Sequence, residues 1–107
     1  MSLKPPQSFT TGSAGRLDAL AYELMAEKAD ALGRSGQKVE AALAALSALS
    51  EEAHPDTREE VLHRAADAVW SFFIQREICG FRNQADAVRR YQIPPEVMAR
   101  LGAATPR

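Results

Sequence analysis

The sequence predicts an all-α fold: a long N-terminal helix packed on a second long helix, followed by two short C-terminal helices, in a helical bundle that dimerises. Three observations carry this. First, an apolar stripe keeps its helical phase from Leu17 to Leu49. At about 100° per residue, Leu17, Leu20, Ala21, Leu24, Ala31, Leu32, Val39, Ala42, Leu43, Leu46 and Leu49 fall within about 140° of one another. Second, a further helical stripe follows Pro55. Third, nowhere do β-branched and aromatic residues alternate with polar ones at period two, so no strand is expected.

Residues 1–13 hold Pro5, Pro6, Gly12 and several hydroxyl side chains, a set that favours turn or extended backbone. They read as a flexible N-terminal arm ahead of a single helical domain over 14–107. Ser13 is placed to cap the first helix, which runs to about Ser50. Gly33 and Gly36 do not divide it, because a hairpin there would have no reason to preserve phase on both sides. The second helix is expected from Asp56 or Thr57, with Glu59 and Glu60 in capping-box spacing. Val61, Leu62, Ala65, Val69, Phe72 and Phe73 form its core face. Trp70, Ile74 and Ile78 spread apolarity around the cylinder, so this end is expected to be covered on more than one side. Gly80 suits a left-handed helix stop. Asn83 then caps a helix to Tyr91 with Ala85, Val88 and Tyr91 inward. Ile93-Pro94-Pro95 breaks the chain, and a last helix spans 96–101 before Gly102.

The lengths imply assembly. A helix over 14–50 is about 55 Å long, and one over 57–79 about 34 Å, so the second cannot cover the first. Ala41, Ala44, Ala45 and Ala48 line the face opposite the leucine stripe and suit close helix packing. A homodimer in which two long helices cross resolves both features.

Charge narrows the function classes. Thirteen basic and fourteen acidic residues leave a net of -1, which disfavours a general polyanion binder or a polybasic membrane anchor. Residues 1–75 carry seven Lys/Arg against eleven Asp/Glu, net -4, and residues 76–107 six Arg against three acids, net +3. The C-terminal segment is therefore expected to dock on the acidic helices of its own or a partner chain. No apolar run approaches the roughly 18 residues that span a bilayer, no signal peptide is read at the N-terminus, and the lone Cys79 cannot close an intrachain disulfide. Cytoplasmic localisation without membrane contact is the expectation. Cys79 itself reads as a small buried thiol.

Candidate sites are few. Lys28 and Arg76 fall within the apolar stripes, where a charge must be paired or reach an edge. With Glu77 they could form a ligand or anion site between the helices. Glu60 and His63 have the i, i+3 spacing of carboxylate-bridged metal bundles, but one pair per chain on a face opposite the core is expected to be solvated. No metal and no cofactor are expected. No nucleophile elbow, phosphate loop or Cys–His arrangement appears, so no catalytic residue is assigned. The two C-terminal helices superficially resemble a helix-turn-helix, with Arg82, Arg89, Arg90 and Arg100 as phosphate contacts. The brevity of the second helix and the carboxylate of Glu96 count against that alternative, and nucleic acid is not the expected partner.

The segment Gln75-Arg76-Glu77-Ile78-Cys79-Gly80-Phe81-Arg82, with Tyr91-Gln92-Ile93-Pro94-Pro95-Glu96-Val97 and the early Leu17-Asp18-Ala19-Leu20-Ala21-Tyr22-Glu23, resembles an uncharacterised family of small, all-helical bacterial proteins. The resemblance covers most of the chain. It implies an all-helical bacterial protein and transfers no catalytic residue. The functional expectation is a non-enzymatic structural or interaction protein acting as a homodimer, with a further protein partner also compatible. The alternatives are a DNA-associated regulator and an enzyme or small-ligand binder with a polar site between helices.

Overall fold

A computed structural model describes residues 7–103, and in it four helices follow one another: α1 (Gln7–Ser47), α2 (Pro55–Ile78), α3 (Gln84–Tyr91) and α4 (Pro95–Met98). No strand occurs among the described residues. The long first helix is continuous through both glycines, neither of which has positive φ. Its 41 residues make a rod of about 60 Å.

The two glycines differ in what surrounds them. A Cβ at Gly33 would stand in open space, whereas one at Gly36 would lie 2.7 Å from the Tyr91 hydroxyl and 3.5 Å from Phe72. Gly36 is thus a point of close approach, where the end of α3 leans on the α1 backbone.

Several boundaries differ from expectation. α1 begins at Gln7, so residues 7–13 are helical and Ser13 lies within the helix instead of capping it. Serine, threonine and phenylalanine cost only a few tenths of a kcal/mol each in a helix, and extending a formed helix is cheap compared with starting one. The remainder of the expected arm, residues 1–6, lies outside the described residues. α2 starts at Pro55, whose missing N–H is no loss at the first helical position. His54 is its cap, with Nδ1 accepting from the Asp56 N–H at 3.1 Å. Asn83 caps α3 as expected, accepting from the Asp86 N–H at 3.2 Å. α4 is a single turn, shorter than the predicted 96–101.

α1 and α2 run antiparallel. The Lys28 carbonyl lies 3.6 Å from the Cys79 thiol at one end, and Gly36 faces Phe72 further along. Val39 and Leu46 of α1 meet Leu62, Ala65, Ala66, Val69, Phe72 and Phe73 of α2, and Ala87, Ile93 and Val97 close the core. Each fully buried large side chain, such as Val39, Val69 or Val97, contributes about 1.5 to 3 kcal/mol over an exposed one. In α3 the inward alanine is Ala87, while Ala85 is exposed. Ala87, Val88 and Tyr91 form an i, i+1, i+4 face, which the 3.6-residue repeat favours over steps of three.

The turns that follow α2, α3 and α4 all use left-handed backbone. Gly80 has φ 92° and Gly102 φ 69°, the conformation that glycine adopts without strain. Gln92 ends α3 at φ 52° with a side chain present. Its N–H donates to Arg89 O at 3.3 Å, and the Ile93 N–H donates to Val88 O at 3.0 Å, closing the last carbonyls of α3.

Candidate functional site

Two regions carry features that folding alone does not use. One is a groove bordered by α1, the C-terminal end of α2, the turn at Phe81 and α3. Arg76 projects from the last turn of α2 into this region. Its guanidinium carbon lies 5.7 Å from the Phe72 ring centre and 5.5 Å from that of Phe81, within cation–π range of both. Nη2 donates to Asn83 O at 3.1 Å, which ties the turn to α2. Nε is buried with no hydrogen-bond partner among the described residues. The groove has a volume of about 500 Å³.

Lys28 lines a smaller adjoining pocket of about 250 Å³ with Met25 and Cys79, and Phe81 and Leu32 are common to both spaces. Lys28 and Arg76 therefore border neighbouring spaces. Glu77 does not join them: it is exposed and accepts from Gln84 Nε2 at 3.2 Å. Cys79 is half-buried, its thiol at the Lys28 carbonyl. Phe81 and Arg90 are groove residues that the sequence reading did not assign there. An exposed aromatic directly after the Gly80 stop was the available signal.

The four arginines read as candidate phosphate contacts do not share one role. Arg100 Nε and Nη2 donate to the two carboxylate oxygens of Glu59 at 2.7 and 2.8 Å, and Nη1 donates to Glu96 O at 2.6 Å. Arg58 pairs with Glu96 at 2.7 Å, so α4 is fastened to α2 in both charge senses. Arg89 faces Asp86 at 3.7 Å. Arg82 is exposed, and Arg90 lines the groove. The docking of the positive C-terminal segment on its own acidic helix is thus realised through Arg100 and Glu59.

His63 departs from expectation. It is only 8% exposed, and Nε2 stands 3.2 Å from Glu59 Oε1. Glu60 is exposed and pairs instead with Arg64 at 2.7 Å. Glu59 is in turn held by Arg100, a long-range partner that a wheel of α2 alone does not reveal. Among the described residues no group of three metal-ligating side chains comes together.

The second region is the N-terminal part of α1. Every residue from 14 to 27 is exposed. Leu17 is 64%, Leu20 61% and Leu24 56% exposed, on one stripe, with Tyr22 and Met25 more exposed still. Trp70, Ile74 and Ile78 are also exposed, contrary to the expected cover on this end of α2. Ala41, Ala44, Ala45 and Ala48 all face outward as well. No helix among the described residues is long and apolar enough to cross a membrane.

These features define an all-helical protein with one over-long helix, an antiparallel partner helix and a C-terminal clamp of two short helices. The chain belongs to DUF6665, a family of unknown function, whose family model matches residues 9–107. No curated protein and no solved structure matches it.

Proposed function

We propose that the protein is a non-enzymatic interaction module that works as a homodimer, joined through the exposed leucine face of α1. The observation that carries this is the leucine stripe of Leu17, Leu20 and Leu24 on a helix segment that α2 does not reach. In a single chain these large side chains lie against water, and Gly12 and Gly15 lower the helix propensity of the projecting segment. A second copy supplies the same stripe, and two-fold pairing buries both at once. The exposed alanines of α1 lie on the opposite face and offer little apolar area by comparison, so they stay outside this contact. The same reading has the protein working in the cytoplasm, where a lone cysteine stays reduced.

The DNA-regulator alternative loses support from the pairing of Arg100 with Glu59 and from the four-residue length of α4. The test is a Leu20→Glu, Leu24→Glu double variant compared with the native chain by light scattering and circular dichroism. The dimer reading expects a monomer that keeps its helical core. A variant with the native mass would overturn the assignment of the interface.

A further inference from the structure

We propose that the groove between α1, the end of α2 and α3 binds a small anion carried on a flat apolar body, such as an aryl phosphate or aryl carboxylate. This does not depend on the dimer reading. The chemistry starts at Arg76, a cation with no carboxylate partner among the described residues and with one described hydrogen bond, from Nη2 to Asn83 O. Guanidinium has five N–H donors in a planar fork that matches carboxylate and phosphate oxygens. Here the Phe72 and Phe81 rings flank the guanidinium, and its buried Nε remains without a partner among the described residues. A partly buried cation with unspent donors gains more from an anion than one in bulk water does.

The surroundings select for the rest of the ligand. Arg90 adds a second cation without a carboxylate partner among the described residues, and Leu32 with the exposed ring of Phe81 supplies an apolar wall. The one carboxylate on the lining, Asp86, lies 3.7 Å from Arg89, which offsets its charge. At about 500 Å³ the groove is within the usual range for small-molecule sites. Gly33 forms part of the wall, and a Cβ added there meets no neighbouring atom within 4 Å, so a bulky residue would extend into the space open to the ligand.

The test is an NMR titration of the full chain with phenyl phosphate, using inorganic phosphate and benzyl alcohol as probes of the charge and of the ring alone. The expected result is saturable shifts at the Gly33 and Phe81 amides and at the Arg76 Nε–H, with both control compounds at least about tenfold weaker. Arg76→Gln should lower phenyl phosphate affinity by about tenfold or more. Gly33→Leu should do the same while leaving the guanidinium in place, and it decides the matter if Arg76→Gln fails to fold. Arg64→Gln, on the exposed face of α2 where Arg64 pairs with Glu60 away from the groove, should leave affinity unchanged. Shifts that do not saturate, equal binding of inorganic phosphate, or native affinity in Gly33→Leu would each overturn the proposal.

Discussion

Gly33 and Gly36 stand three residues apart in the same helix, yet substitution should move stability in opposite directions. Gly33→Ala should stabilise by up to about 1 kcal/mol, since alanine restores helix propensity in open space. Gly36→Ala gains the same propensity but must displace Tyr91, and overpacking of about 1 to 3 kcal/mol outweighs it. Urea unfolding of the two variants checks both signs. Phe72, 3% exposed and in edge contact with Tyr91 at 4.9 Å between ring centres, should cost about 3 to 5 kcal/mol on truncation to alanine. Unchanged unfolding of Phe72→Ala would contradict the core described above. The phase of the apolar stripe made helix continuity legible, but the different duties of the two glycines were not. Tyr91 reaches Gly36 from 55 residues away in sequence, and no local pattern records that approach.

At the scale of elements, Glu59 is one of the two carboxylates that fasten α4 to α2. Hydrogen bonds from Arg100 hold the Glu59 carboxyl below its ordinary value of 4.5, and the Arg100 and His63 charges add to this while partial burial opposes it. In the unfolded chain the carboxyl takes its proton near the ordinary value, whereas the native carboxyl stays charged to lower pH. The stabilisation is therefore complete above the unfolded value and is lost as pH falls through the lowered native one. Glu59→Gln should lower the urea midpoint at neutral pH and narrow its difference from the native chain under acid conditions. A native-like midpoint at both pH values would show that the pair does not hold α4. The caps at Asn83 and Gly80 were readable because capping chemistry is local. The burial of His63 was not, and its partner Glu59 is engaged by Arg100 from 41 residues further along the chain. The start of α1 was misread for the converse reason: a turn-prone composition biases a chain without overriding extension of a formed helix.

The whole molecule is set by a mismatch of lengths. α1 has 41 residues and α2 has 24, so a single chain leaves its N-terminal leucines in water. That mismatch was legible from stripe length alone, as was the attraction between the acidic and basic parts of the chain, which Arg100 and Glu59 embody. The candidate groove was only half legible. Lys28 and Arg76 stood out as charges in apolar stripes, but Phe81 and Arg90 reach the same region through a turn and a third helix. The most direct test of the account is the mass of the native protein in solution, measured by light scattering at micromolar concentration. The dimer reading predicts twice the chain mass of 11.7 kDa, and a mass equal to one chain would contradict it.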